Sequence, residues 1–413
     1  MKKGIGVGIE DFKKIIEEDC YYFDKTNYIE ELLKDRTEIK LFTRPRRFGK
    51  TLNMTTLKYF FNVKNAEENR KLFKDLCIEK SEYFKEQGQY PTIFITLKDT
   101  KKNNWEECYS KIKIILRDLY EEHSYIKDKL SINEKEQYDK ILFKKDDAEY
   151  DSALLNLTKY LYNYYQKKVV LLIDEYDSPL ITANQFNYYK EAINFFRDFL
   201  SSALKTNPYL KMGVLTGIVQ VAKEGIFSGL NNVRTYNILG DKFETFFGLS
   251  EEEVENSLKY FELEYEIAEV KRWYDGYKFG NSEVYNPWSI INYLSDRALQ
   301  AYWVNTSDNA LIYDNLKNST VDVFKDLESL FGGKEIKKEI SPFFTFEELS
   351  KFDGIWQLMV YNGYLKISKK LSNDEYMIKI PNYEIQTFFK KGFIDKFLVS
   401  GKKKKHLHLK VKM

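Results

Sequence analysis

Cysteine is scarce. Three residues, Cys20, Cys77 and Cys108, are scattered far apart in a chain of 413. An odd number at such spacing argues against a disulfide framework, and no zinc-binding spacing occurs, so a reduced, cytoplasmic setting is expected. Long hydrophobic runs are also missing. None approaches the ~20 apolar residues that span a bilayer. The apolar stretch Ile5–Ile9 is broken by glycines and stops at Glu10-Asp11, too short for a signal peptide. No membrane association is expected. There is little net charge either. The total is +2, which by itself implies no polyanionic partner. Residues 382–413, however, carry nine Lys and two acids, a net of +7, which leaves −5 for the first 381 residues. No internal repeat is present, and low complexity is confined to Lys402–Lys405.

Hydrophobic residues at 43% and charged residues at 31% place the chain among globular proteins. Its length suits two or three domains at roughly 150 residues each. Tyr (32) and Phe (30) are abundant and are read as core material. Strand-like runs alternate with helical ones. Ile39–Thr43, Thr92–Leu97, Val169–Ile173, Lys211–Leu215 and Thr235–Leu239 read as strands, and VVLLI is continuously apolar, as in a parallel sheet covered on both faces. Helices are expected within Gly8–Leu33, from Thr51 to Phe61, and at Trp105–His123, Tyr150–Gln166 and Tyr188–Leu204, with charged helical material up to Gln87. This alternation implies an α/β fold with a mainly parallel sheet. From Glu244 the pattern turns helical, at Glu251–Tyr260, Ala268–Tyr274, Pro287–Leu294 and Asp308–Leu316. A helix at Phe352–Val360 and a hairpin of Tyr364–Ser368 with Glu375–Ile380 then resemble a winged-helix module; a small structural lid hairpin is the alternative.

The densest information lies in IKLFTRPRRFGKTL, residues 39–52. An apolar strand enters an Arg-rich loop that ends in Gly49-Lys50-Thr51 and opens a helix. In a phosphate loop (Walker A), backbone N–H groups and a helix N-terminus wrap phosphates, Lys reaches the β- and γ-phosphates, and Thr ligates Mg²⁺. The first glycine of that pattern is replaced by Arg44, and Pro45 follows, although glycine there normally permits a backbone conformation that a side chain resists. The predicted nucleotide-binding set is Arg44, Pro45, Arg46, Arg47, Phe48, Gly49, Lys50, Thr51 and Thr216. The arginines would either present guanidinium forks to phosphate oxygens or face acids elsewhere. VVLLIDEYD supplies a Walker B pair: Asp174 with Thr51 for the metal, and Glu175 as general base, with Lys50 its catalytic partner at the phosphates. A third strand between these two, ending in a polar residue, is expected from MGVL-Thr216. Arg197, Arg234 and Arg272 are equal candidates for an arginine finger.

The ordered series GIEDFKKI, YYFDKT, LFTRPRRFGKTL, LLIDEYDSPL, LTGI, AKEGIFSGLNNV, WYDGYKFG, VYNPWSI, YWVNTSDN and IPNYEI resembles the bacterial AAA-ATPase-like proteins, which often carry a C-terminal PD-(D/E)XK nuclease domain. The resemblance covers nearly the whole chain to about residue 390. It implies a P-loop NTPase of AAA type with a helical region after it, and adenine as the base. It assigns Lys50 and Thr51 to phosphate and Mg²⁺, and Asp174 and Glu175 to the metal and water roles. In that family the R-P-R-R-F-G-K-T loop replaces the glycine-first loop. One departure is Gln220, where members commonly have Arg. A larger one is the end of the chain: after IPNYEI no second acid-x-Lys strand pair follows, so nuclease activity is not expected.

The division expected is a P-loop NTPase domain over 1–240, a helical and winged-helix-like domain over 241–381, and a basic tail over 382–413 that is the remnant of a nuclease domain. The function expected is an ATPase using ATP and Mg²⁺ and coupling nucleotide state to a protein or nucleic-acid partner. The alternatives are a non-hydrolysing nucleotide-binding module and a DNA-binding regulator. The tail would give salt-sensitive nucleic-acid binding or is simply a solvated end, and an oligomer is left open.

Overall fold

The computed structural model describes residues 2–221, 232–303, 321–343 and 354–389. The chain forms two compact units. One comprises Met1–Phe247, Phe279–Ser282 and Ser341–Gly354; the other comprises Gly248–Lys278, Glu283–Ile340 and Ile355–Met413.

The first unit is built on five parallel strands: β1 (Ile39–Thr43), β2 (Thr92–Thr96), β3 (Val169–Asp174), β4 (Leu210–Gly217) and β5 (Val233–Tyr236). Their spatial order is β2-β3-β4-β1-β5. Every residue of β1 and β3 is buried, and in β3 that burial matches the unbroken apolar run VVLLI. The expected third strand, β4, does lie between β1 and β3. The register sets Thr43 beside Gly217, Ile173 beside Leu215, and Thr96 beside Asp174. The ends of these strands therefore line one edge, the carboxyl edge at which open α/β sheets bind ligands.

The helix Lys50–Phe61 packs on β2 and β3, and Ala153–Tyr165 packs on β3 and on the helix Tyr189–Leu204. The latter buries Ile193, Phe196, Phe199, Leu200 and Leu204, the face legible in its sequence. In this unit two helices escape the sequence reading. Ile132–Leu142 opens with a Ser131/Glu134 capping box. Ser178–Gln185 carries Pro179 in its first turn, where the missing N–H costs nothing. The last strand is Val233–Tyr236 rather than Thr235–Leu239, because it pairs along β1 from Ile39↔Val233 to Phe42↔Tyr236. The aromatic residues do pack as core: Tyr28, Phe42, Tyr236, Phe243 and Phe247 are buried in one cluster, with Phe42 stacked on Tyr236 at 5.2 Å.

The second unit contains the helices Glu251–Tyr260, Ile267–Tyr274, Pro287–Asp296 and Val321–Phe331 and the body of Gly354–Tyr361. Its strands β6 (Ile336–Glu339), β7 (Lys366–Lys370) and β8 (Glu375–Lys379) form an antiparallel sheet in the order β6-β8-β7. The expected hairpin is therefore joined by a third strand, IKKE, whose charged residues hid it. The helix expected at Asp308–Leu316, and most of the basic tail, lie outside the described residues.

Glu384 is fully buried in this unit. Its Oε1 accepts from the backbone N–H groups of Tyr302 and Trp303, both at 2.7 Å, and its Oε2 accepts from Ser289 Oγ at 2.8 Å. Burial raises its pKa to about 7, only partly offset by those three donors. The folded state thus holds the proton more tightly than the unfolded state, and this contribution to stability is lost as pH rises through 7. Glu384→Gln keeps an acceptor for both N–H groups and a donor for Ser289. Its expected effect is to flatten the stability–pH curve between pH 5 and 8, with a gain on the order of 1–3 kcal/mol above pH 7, read from urea unfolding at each pH.

Candidate nucleotide site

β1 ends at Thr43, and after six intervening residues the helix Lys50–Phe61 begins. Arg47 (φ 68°) and Gly49 (φ 76°) both adopt the left-handed conformation. Nothing would touch a Cβ at Gly49, so glycine is placed there by backbone conformation rather than by space. Lys50 is buried, and its ammonium donates to the carbonyls of Arg44 at 3.0 Å and Pro45 at 2.8 Å. Burial lowers its pKa, while Glu175, Asp177 and Asp174 oppose that shift.

Two hydroxyls converge on Asp174 at the end of β3. Thr51 Oγ1 donates to Oδ2 at 2.9 Å, and Thr216 Oγ1 donates to Oδ1. Burial raises the pKa of Asp174 against both bonds. Thr216 Oγ1 also accepts from the Glu175 N–H at 3.4 Å. Glu175 sits at φ 52°, a left-handed conformation that costs a non-glycine residue about 1–3 kcal/mol and that clusters at functional sites. Its Oε2 accepts from Ser178 Oγ at 2.7 Å and lies 3.7 Å from Lys101 Nζ. Burial pushes its pKa up, but Lys101, Ser178, Lys50 and Arg46 outweigh that, and the net shift is downward. The sequence-derived residues Lys50, Thr51, Asp174, Glu175 and Thr216 are thus brought together at one strand edge. Thr51 and Asp174 offer hydroxyl and carboxylate oxygens, a donor set that suits Mg²⁺.

The remaining loop residues divide. Arg46 is half-buried and close enough to influence both Lys50 and Glu175. Arg47 is 4.0 Å from Glu10. Phe48 is buried against Phe279, with ring centroids 5.0 Å apart, so its side chain is core. Arg44 departs most from its expected phosphate role. Its guanidinium is fully buried and donates to the carbonyls of Thr43 (2.9 Å), Tyr236 (2.7 Å) and Phe243 (3.2 Å). It also lies 5.0 Å from the centroid of the Phe247 ring and 5.2 Å from that of Phe279. Burial lowers its pKa to about 9, with Tyr28 and Glu244 opposing. The side chain at the first-glycine position is spent on tying the loop to β5 and residues 243–247, and only the backbone of Arg44 faces Lys50. Arg44→Ala would leave three carbonyls without a donor and a cavity behind them. The expected loss is roughly 3 kcal/mol or more, read as a lower urea midpoint; an unchanged midpoint would count against this tie.

The acids of DEYD have separate duties. Asp177 is buried and its Oδ2 accepts from the backbone N–H groups of Ile218 (2.7 Å) and Val219 (2.9 Å). Tyr176 OH donates to Val219 O at 2.7 Å and accepts from Val221 N at 3.1 Å. Together they hold the chain as it leaves β4. At Gly217 a Cβ would lie 2.7 Å from Tyr176 Cε1 and 2.8 Å from Asp177 Oδ1, so the close approach demands glycine. The sequence reading missed Asp177, Ser178, Lys98, Lys101 and Glu10. Lysines are too common in this chain for Lys98 or Lys101 to stand out, and Glu10 is remote in sequence.

A five-stranded parallel sheet with β4 inserted between β1 and β3, and a strand–loop–GKT–helix unit at its carboxyl edge, defines a P-loop NTPase of the AAA type. A family model described as "Predicted AAA-ATPase" matches residues 6–227, more than half of the chain, and the protein belongs to that AAA-ATPase-like family. The chain is also similar to an "Uncharacterized protein in vnfD 5'region" of Azotobacter chroococcum mcd 1, with 24% identity over 411 residues, covering 96% of this chain and 71% of that one. Among the described residues, no helix is long and apolar enough to cross a membrane.

Proposed function

We propose that the protein is a Mg²⁺-dependent ATPase. The observation that carries this reading is the convergence of the Thr51 and Thr216 hydroxyls on Asp174, with the Lys50 ammonium and the Glu175 carboxylate at the same strand edge. Lys50 exchanges its two loop carbonyls for β- and γ-phosphate oxygens. Arg46 and Arg47 add positive charge around them, and Arg44 acts through the loop's position alone. Thr51 and Asp174 hold Mg²⁺, which when bound neutralises phosphate charge. Glu175 accepts a proton from the attacking water, and Thr216 fixes Asp174 and the Glu175 backbone. Adenine as the base rests on the family description.

The deciding experiment is phosphate release from ATP by the full chain. Turnover is expected with Mg²⁺ and is expected to vanish on chelation. Failure to bind ATP would overturn the reading.

The second unit supports a nucleic-acid partner as a further reading. A helix, β6, a second helix and the β7–β8 hairpin, with sheet order β6-β8-β7, share part of the element order of a winged helix. On this reading residues 241–381 contact the partner, residues 1–240 hold the nucleotide, and 382–413 add basic charge. Duplex DNA added to the turnover assay, alongside a mobility shift, tests it directly.

A further inference from the structure

The lysines that follow β2 belong to no part of the phosphate-loop motif, yet they stand beside its acids. Thr96 pairs with Asp174, and Leu97 N–H donates to Asp174 O at 3.0 Å, so the chain leaves the sheet next to the β3 acids. From there Lys101 Nζ comes to 3.7 Å from Glu175 Oε2. Lys98 is differently committed. Its Nζ lies 2.7 Å from Glu10 Oε2, and Arg47 meets the same carboxylate at 4.0 Å.

The Lys101–Glu175 contact is longer than a hydrogen bond and open to water, with the Lys101 side chain 42% exposed. Such a pair contributes little and is cheap to exchange. A terminal phosphoryl group offers three charged acceptor oxygens to the same ammonium, a stronger partner than one carboxylate already bonded to Ser178. Glu175 cannot easily follow the lysine, because its backbone is held in a left-handed conformation and its N–H is tied to Thr216.

We infer that Lys101 is the cation that distinguishes a nucleoside triphosphate from a diphosphate. A γ-phosphoryl group draws it off Glu175, and that transfer frees the carboxylate for water. The inference rests on the nucleotide reading above and adds a selectivity role at the same site.

The test is equilibrium binding, with Mg²⁺, of ADP and of the β,γ-imido analogue of ATP to the full chain. Neither ligand is turned over, so hydrolysis does not enter. Lys101→Met is expected to weaken the triphosphate analogue by roughly tenfold and to leave ADP within about twofold. Lys101→Arg is expected to restore most of the loss. In a double-mutant cycle, Glu175→Gln tightens the triphosphate analogue more when Lys101 is present than when it is Met. Equal loss for both ligands, or loss for neither, overturns the role of Lys101 while leaving nucleotide binding intact. A wild-type chain that binds neither ligand overturns the nucleotide reading itself, a result visible before any variant is made.

Discussion

Lys50→Ala is expected to lower Mg²⁺-dependent ATP turnover by at least about 10²–10³-fold, the scale set by removing one preorganised electrostatic contact from a transition state. The physical reason lies in where the ammonium sits. It is buried, and it donates hydrogen bonds to two loop carbonyls. Burial makes its charge costly, and a polyphosphate is the partner that recovers that cost. The substitution removes a charge whose burial was unfavourable, so the fold should survive. A thermal melt close to that of the wild type, together with lost turnover, is the expected pair of results. Equal turnover in both proteins would count against the whole assignment of the loop.

Glu175→Gln is expected to lower kcat by roughly 10²–10⁴-fold, the usual range for loss of a general base, while ATP still binds. Gln occupies the same volume and retains an acceptor for Ser178 Oγ. Its amide cannot take a proton from water. The protein should therefore accumulate bound ATP, measured by rapid filtration after mixing with labelled nucleotide. If the protein is instead a binding module that does not hydrolyse ATP, the wild type and the variant will retain ATP alike. This outcome separates the two readings, whereas Lys50→Ala would disable both.

The core of the fold was legible because its determinants are local. VVLLI reads as a strand because a central parallel strand is apolar on both faces, and β3 is buried at every position. Gly49-Lys50-Thr51 and Asp174-Glu175 stand out in the sequence because the phosphate chemistry proposed above uses those residue types at the ends of particular elements. The placement of the Arg44 side chain was not legible, for a related reason. Its place in the motif suggested phosphate, but the sequence holds no sign that β5 and residues 243–247 would present it with carbonyls and aromatic faces. The strand Ile336–Glu339 was hidden because a short edge strand with three charged residues lacks the alternation of a half-buried one.

By itself the sequence determined which residues are candidates for the proposed phosphate chemistry and roughly which elements carry them, since composition, spacing and periodicity act over a few neighbouring positions. Only the tertiary structure decided that β2 lies next to β3 and brings Lys101 to Glu175, that Thr216 reaches Asp174, and that Arg44 turns inward. Those outcomes depend on strand order and on pairs of residues separated by tens to nearly two hundred positions, and close contacts between such distant segments exist only once the sheet has formed.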